Sequence, residues 1–382
     1  MLPRPKRVKT ASTNNTSSDN SNIKATLHSE VTNDDKASSH DSGLLHLPIE
    51  LFDMILEELW QSCGDCGDVT REVILMNHEC LRASYTTKED ALRSLSQVCR
   101  TLRLHFLPLC WEHVQACVVR KEGGAIHMIL GERLLRLSRG LPQSQSIASL
   151  VRTLTVSISK YQAATVFPAW ADCLESLPSL RTVQIMWASA QITTPLKKAF
   201  VNRRFPQIRT VILPDCAHNF LRACPEVIEV ICNDGWNQGK LATAIAAACK
   251  KVEIVQDITP KPYILDRLVE GAPRLRDYRL SCCCFRLPKP YDWRIEPTLL
   301  RGLSALNDLS AISITVAAKG VDENNSMHFA IQDYVDSAKI ALHGSKFKGP
   351  KQVHVQHALF DSAAGPRGWG LKKIIHTEIL DV

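Results

Sequence analysis

The chain has 382 residues, of which 45% are hydrophobic and 22% charged, the balance of an ordinary soluble globular protein with room for two or three domains. Its best candidate for an apolar span, 241–249, is far too short to cross a bilayer, and 14 cysteines without an apolar leader indicate reduced thiols in a cytoplasmic or nuclear protein. The net charge of +7 is concentrated at Arg4, Lys6, Arg7 and Lys9, so the remaining chain is too weakly basic to indicate a nucleic-acid surface.

Residues 1–43 form the first predicted region. They are rich in Ser, Thr, Asn and Lys and carry almost no large apolar side chains, so they cannot bury enough surface to offset the entropy of ordering. The sequence therefore predicts a disordered tail with a basic N-terminus. Its Lys6–Lys9 cluster resembles a short nuclear-import signal, which leaves both cytoplasmic and nuclear locations open.

A helix is predicted to begin at Pro48, where the fixed φ and the missing N–H of proline cost nothing. Apolar side chains then recur at helical spacing, which predicts one buried face. These side chains are Leu51, Phe52, Ile55, Leu56 and Leu59.

The segment 60–90 is a long polar insertion after this helix. It contains four soft or borderline metal ligands, Cys63, Cys66, His78 and Cys80, which is the number that tetrahedral zinc requires. Their spacing matches no common zinc finger, so a redox-active dithiol and ordinary loop thiols are the alternatives. We expect no cofactor and predict no metal site.

A second helix or helix pair follows the insertion. Thr87 and Asp90 have the spacing of a weak capping box, which predicts a helix start there. Apolar side chains at helical steps continue through Leu92, Leu95, Cys99 and Leu102, and a short third element closes the module with Phe106, Leu109, Trp111 and Val114. The sequence thus predicts a small helical domain over 44–116, with little core of its own.

Three parts of this domain, Leu47-Pro48, Val98-Cys99-Arg100 and Leu109-x-Trp111, occur in the order in which an F-box carries them, and together they resemble an F-box. The resemblance implies docking to a Skp-type adaptor and, through it, to a cullin. Family members usually join the first two helices by a handful of residues, so the insertion 60–90 is a departure. The adaptor-binding positions that the resemblance implies are Leu47, Pro48, Leu51, Ile55, Leu59, Val98, Cys99 and Arg100.

After a connecting helix predicted over 117–148, an internal repeat fills 149–382. Each unit reads apolar-x-x-apolar-x-apolar, as in Leu180, Val183 and Ile185, and successive units start 19 to 34 residues apart. That period suits one strand and one helix per unit. The other units start at Val151, Ile208, Val227, Val252, Leu275 and Leu309, and the unit at Val252 has a defect because Asp257 takes its last apolar place.

Proline supports the repeat, because it stands two residues before the first apolar position in four units, at Pro178, Pro206, Pro225 and Pro273. The pattern resembles degenerate leucine-rich repeats of a fungal-type F-box protein; an ordinary α/β domain is the alternative. The C-terminal part, with an expected helix near 329–338 and a short strand at 353–355, is interpreted as a cap on the last repeat.

The predicted fold class is therefore α+β and multidomain: an F-box-like helical module followed by an α/β leucine-rich-repeat-like solenoid. No catalytic motif is found, which favours a non-catalytic protein. The F-box resemblance implies a substrate-recognition subunit of a cullin-based ubiquitin ligase, with no nucleic-acid or membrane partner. An interaction scaffold unrelated to ubiquitin is the alternative. The expected target-binding positions on the concave strand face are Gln184, Ile212, Ile231 and Arg279, and the target itself is unknown.

Overall fold

A computed structural model of the chain describes residues 48–62, 83–117, 126–233, 238–281, 296–317, 328–361 and 370–382. The predictions made for the tail 1–43, for Leu47 and for Cys63, Cys66, His78 and Cys80 lie outside the described residues.

Three helices open the described chain: Ile49–Ser62, Ala83–Val98 and Arg100–Glu112. The second and third are two separate helices and not one, because the backbone of Cys99 between them is extended, with φ −154° and ψ 172°. The predicted cap at Thr87 is wrong, since the helix begins at Ala83 and Thr87 lies within it. The spacing of Thr87 and Asp90 does not take into account residues 83–86, which are already helical.

Two phenylalanines join these helices into a module. The rings of Phe52 and Phe106 meet edge to face with centroids 6.0 Å apart, and Phe106 is fully buried. Such aromatic pairs add about 0.5–1.5 kcal/mol beyond the area that they bury. Leu56, Leu92 and Leu102 are also buried. Among the described side chains of the first helix, Phe52 and Leu56 are therefore the ones that anchor it.

The helix Arg100–Glu112 runs directly into a ten-stranded sheet whose strands lie in chain order. Strands β1 to β9 are parallel and β10 is antiparallel to β9. Val114, expected in a helical element, belongs to β1. The bounds are β1 His113–Ala116, β2 Thr153–Ile158, β3 Thr182–Ala188, β4 Thr210–Leu213, β5 Glu229–Cys232, β6 Ile254–Gln256, β7 Asp277–Ser281, β8 Ala311–Ala317, β9 Gln352–Asp361 and β10 Gly370–Asp381.

Helices connect the parallel strands and share one hydrophobic core with a single face of the sheet. Parallel strands need such crossovers, and a strand that always lies beside its predecessor builds an α/β solenoid. The expected connecting helix is present at Ile126–Gly140. The others are Gln145–Ala148, Ala163–Glu175, Thr193–Phe200, Gly239–Ala248, Pro262–Gly271 and His328–Gly344, with 3₁₀ helices at Leu141–Gln143, Ala190–Ile192, Asp215–Ala223 and Pro297–Ala305.

The central apolar position of every predicted unit falls in one register row across the sheet. Each member of this row is fully buried against the helices, which explains why the position is apolar in unit after unit. The central positions are Leu154, Val183, Val211, Val230, Val255, Tyr278 and Ile312, and the row continues to Val353 in β9.

The four repeated prolines have a common structural role. Each stands second in a turn closed by a backbone hydrogen bond, where the fixed φ of proline is favoured. The first of these bonds runs from the Leu180 N–H to the Leu177 carbonyl at 3.3 Å. The equivalent bonds enclose Pro206, Pro225 and Pro273, with lengths of 3.3, 3.4 and 3.1 Å. The proline offset in the sequence therefore marks the same turn before β3, β4, β5 and β7.

Two helices of the outer layer approach each other unusually closely. A Cβ added to Gly271 would lie 2.1 Å from both Cα and Cβ of Ala246. Glycine at the end of Pro262–Gly271 and alanine in Gly239–Ala248 thus permit the helices to touch through their backbones, which tightens the stacking of these two units.

Candidate functional site

The first helix is apolar on two sides. Phe52 and Leu56 are buried, with 8% and 6% of their surface exposed, whereas Leu51, Met54 and Ile55 are 40%, 66% and 47% exposed. Leu51, Met54 and Ile55 follow helical steps of three and four and therefore share one face. We name these three residues the first-helix apolar surface. The sequence pattern predicts Leu51, Phe52, Ile55 and Leu56 on a single face. It does not separate the buried side of the helix, with Phe52 and Leu56, from the exposed side, with Leu51 and Ile55.

The other predicted adaptor-binding residues are distributed around the module. Pro48 is exposed at the start of the first helix, where its carbonyl accepts the Leu51 N–H at 3.0 Å. Val98, Cys99 and Arg100 form the junction of the second and third helices; Val98 is 66% exposed, Arg100 is exposed and Cys99 is half-buried. Leu59 belongs to the first helix, and its side chain is outside the described part.

The side chains on the sheet face that points away from the helices form what we call the open face. The predicted target-binding positions Gln184, Ile212, Ile231 and Arg279 lie there, in one register row. Gln184 and Ile212 are fully buried and Ile231 nearly so, whereas Arg279 is partly exposed. Target binding at these positions stays a prediction, and only Arg279 of the four has accessible surface to contribute substantially.

Gln184 is held by its neighbours on the open face. Its side chain accepts a hydrogen bond from the Thr155 hydroxyl at 3.3 Å and donates to the sulfur of Met186 at 3.3 Å. Ile212 and Ile231 pack against each other as a small apolar cluster on the same face. At the centre of this face, the polar side chain of Gln184 therefore has hydrogen-bond partners within the sheet, and the apolar side chains pack against each other.

A polar network surrounds Arg279. Its Nε lies 2.7 Å from Asp277 Oδ2, and its Nη1 lies 3.2 Å from Glu229 Oε1, two strands away. Glu229 also accepts a hydrogen bond from the Thr210 hydroxyl at 3.2 Å. On the other side, the Ser313 hydroxyl donates to Asp277 Oδ1 at 3.4 Å. The network spans β4 to β8 and orients one cation between two carboxylates.

The strand pattern predicts Arg279 as a functional position but not Glu229 or Asp277. The prediction covers the position between the two apolar residues of each strand, whereas both acids stand two residues earlier. Because side chains alternate across a sheet, residues two apart share a face, and this rule identifies Thr210, Glu229 and Asp277 as open-face positions.

Two titratable groups after β4 serve the fold. Burial raises the pKa of Asp215, while the hydrogen bond from the Leu241 N–H, 2.9 Å from Asp215 Oδ1, acts against that rise. Burial lowers the pKa of His218, whose Nδ1 lies 2.8 Å from the Asp215 carbonyl oxygen. Asp215 thus satisfies a free N–H at the start of Gly239–Ala248, as helix-capping carboxylates do.

Within the described ranges, no three His, Cys, Asp or Glu side chains are arranged to hold a metal ion. None of the helices described is both long and apolar enough to cross a membrane.

Comparisons with known proteins give little beyond this geometry. No protein-family model matches the chain. No curated protein matches it either. One solved structure that aligns with it is the leucine-rich repeat-containing protein LegL7 from Legionella pneumophila, at 14% identity, over 64% of this chain and 72% of that chain, with a TM-score of 0.38. The likeness is too distant to carry an argument, so the α/β solenoid rests on the strand order and register of the chain itself.

Proposed function

We propose that this chain is a non-catalytic substrate-recognition subunit of a cullin-based ubiquitin ligase. Its helical module is an F-box that docks a Skp-type adaptor, and its solenoid, a stack of degenerate leucine-rich repeats, holds a protein target. The observation that carries the proposal is the first-helix apolar surface, which coincides with two of the residues, Leu51 and Ile55, that the F-box resemblance assigns to the adaptor.

The first-helix apolar surface is unfavourable in water. Burial of a fully exposed Leu, Ile or Met side chain contributes roughly 1.5–3 kcal/mol, and the exposed part of each of these three side chains has a proportional share to gain. The module already buries Phe52 and Leu56 to hold the first helix in place, whereas Leu51, Met54 and Ile55 stay 40%, 66% and 47% exposed. A partner that covers them gains binding energy from a preformed helix, without ordering it first.

The connection between module and solenoid supports action by proximity. The helix Arg100–Glu112 continues into β1 without a linker, and the Arg152 N–H donates to the Glu112 carbonyl at 2.9 Å. A target on the solenoid is thereby kept near whatever docks on the helical module. Raising the local concentration of target lysines beside a charged ubiquitin carrier requires no catalytic residue on this chain.

The test is co-purification of the full chain with a purified Skp-type adaptor. We expect the wild type to retain the adaptor and the double variant Leu51→Glu/Ile55→Glu to lose it by at least about tenfold, because two charges would enter an apolar contact. Val201→Glu is the control, since Val201 is an exposed apolar residue on the solenoid, with 64% of its surface accessible. Retention by the double variant, or equal loss in the control, contradicts the proposal.

An interaction scaffold unrelated to ubiquitin remains the second candidate. The observation behind it is the stretch 63–82, which separates the first two helices by far more than the handful of residues usual in an F-box. The same experiment separates the candidates, because a scaffold leaves the adaptor unbound in the wild type as well as in the double variant.

A further inference from the structure

Three arginines occupy the same register position at the amino edge of the sheet. Arg152, Arg181 and Arg209 each immediately precede a strand, β2, β3 and β4 respectively. Backbone hydrogen bonds extend the ladder to them: the Arg181 N–H donates to the Arg152 carbonyl, and the Arg209 N–H to the Arg181 carbonyl, both at 2.8 Å. Neighbouring strands are about 4.8 Å apart, so the backbone fixes three cationic side chains side by side. We call this set the arginine column.

The positive charge of the arginine column is only partly balanced. Arg152 Nε lies 3.7 Å from Glu112 Oε1, and Arg209 Nη1 lies 3.2 Å from Glu226 Oε2. Arg181, the central member, is exposed and has no ion-pair partner among the described residues.

The carboxylate at one end of the column is shared with another cation. Lys251 Nζ lies 2.5 Å from the same Glu226 oxygen that pairs with Arg209. Hydrogen bonding by Lys251, and then by Arg209, lowers the pKa of Glu226. Two acidic side chains thus face four basic ones, and the excess positive charge centres on Arg181.

The rest of the same edge shows how a balanced arrangement looks. Arg276 precedes β7 at the equivalent position, and its Nη2 lies 2.5 Å from Oε2 of Glu253, which precedes β6. Here opposite charges alternate along the edge, whereas like charges are adjacent from β2 to β4. Adjacent like charges are unfavourable on neighbouring strands unless an anion lies between them.

We propose that the arginine column binds an acidic segment of a partner protein. Guanidinium groups form paired hydrogen bonds with carboxylates, and three of them in a row match several acidic side chains on one extended stretch. The column spans three strands and is flanked by Glu112 on one side and by the balanced pair of Glu253 and Arg276 on the other, so it offers too few unbalanced cations for a long polyanion such as a nucleic acid. This inference goes beyond the proposed function and does not require adaptor docking.

The test uses the purified full chain and a fluorescein-labelled peptide with six consecutive glutamates, followed by fluorescence anisotropy. We expect binding that weakens as salt increases, because the contact is between exposed charges. Arg181→Gln is expected to weaken binding about fivefold, the loss of one charge-assisted contact. Arg276→Gln, at the equivalent but balanced position, is the matched control and should change it less than about twofold.

Three results overturn the proposal: no binding by the wild type, an equal loss in both variants, or tighter binding of a 12-nucleotide single-stranded DNA than of the peptide. Thermal unfolding of both variants checks that they are folded, and a peptide of six glutamines checks that charge is required. Adaptor co-purification with the Arg181→Gln variant keeps this result separate from the ligase proposal, since Arg181 lies outside the helical module.

Discussion

At the scale of single residues, Asp257 is the position where the repeat breaks its own rule. The sequence marked it as a defect, because an acid takes the place of the last apolar strand residue. In the structure it is buried with φ 58°, its Oδ1 accepts the Ser281 N–H at 2.6 Å, and its Oδ2 accepts the Ser281 hydroxyl at 3.1 Å. The defect was predictable from the pattern. Its partner was not, because Ser281 belongs to the next unit and meets Asp257 only after the strands align.

The pKa of Asp257 predicts a pH dependence of stability. Burial raises it from 3.8 to about 6, against the hydrogen bonds that favour the carboxylate. Between these two values the folded chain binds more protons than the unfolded chain, so stability falls as pH rises through this window and levels off above it. This rise in the pKa corresponds to a change of roughly 3 kcal/mol in the free energy of unfolding across the window.

Asp257→Asn removes the titration, and asparagine tolerates a positive φ, so we expect a flatter profile between about pH 4 and pH 6.5. Chemical unfolding at several pH values measures it. Asp266→Asn, an exposed aspartate in Pro262–Gly271, is the control and should follow the wild type. If the free energy of unfolding of Asp257→Asn falls with pH as steeply as that of the wild type, Asp257 is not the group that causes the pH dependence.

At the scale of elements, periodicity predicted the strands well and their ends poorly. The strands from β2 to β8 follow the predicted units, because a face buried by helices requires apolar side chains at fixed steps. The strand β1 was missed because it has only Val114 and Ala116 on the core side and follows a helix without a turn. The two-sided first helix was also beyond the pattern, since apolar residues on both sides look like one broad face until the position of Phe106 is known.

The contact at Gly271 gives a prediction for the helical layer. Gly271→Ala places a methyl group against the Ala246 backbone, which cannot move as a side chain does, so Gly239–Ala248 and Pro262–Gly271 must separate. We expect a loss of about 2 kcal/mol or more in the free energy of unfolding.

Gly140→Ala is the matched control, because Gly140 also ends a helix and a Cβ there meets nothing within 4 Å. Its stability should be unchanged or up to about 1 kcal/mol higher. Urea unfolding of both variants measures the difference, and equal stabilities would contradict the close approach of the two helices.

At the scale of the whole molecule, strand β10 determines how the sheet ends. Gly370–Asp381 pairs with β9 along its length, antiparallel, while the sheet is parallel elsewhere. The sequence predicted a cap after the last repeat without identifying its form, because the hairpin partner of β9 has no counterpart in the repeat. Without β10, the backbone groups on one side of Gln352–Asp361 lose their partners.

Deletion of residues 370–382 is therefore expected to cause self-association through the exposed edge of β9. Size-exclusion chromatography with light scattering would show dimers or larger species that increase with protein concentration. Deletion of residues 1–13, a stretch of equal length at the other terminus, is the control. Its molecular mass in solution should remain the mass of one chain. A truncated chain that stays monomeric would show that β10 does not protect this edge.

The consecutive order of the strands has a consequence for how the molecule forms. Each strand of the described sheet bonds only to the strands made just before and just after it, so none of these strands waits for a distant part of the chain. During synthesis the helical module emerges before the solenoid, and each unit can dock on the previous one as it leaves the ribosome. Gaining or losing a whole unit would change the length of the open face by one strand without rerouting the chain.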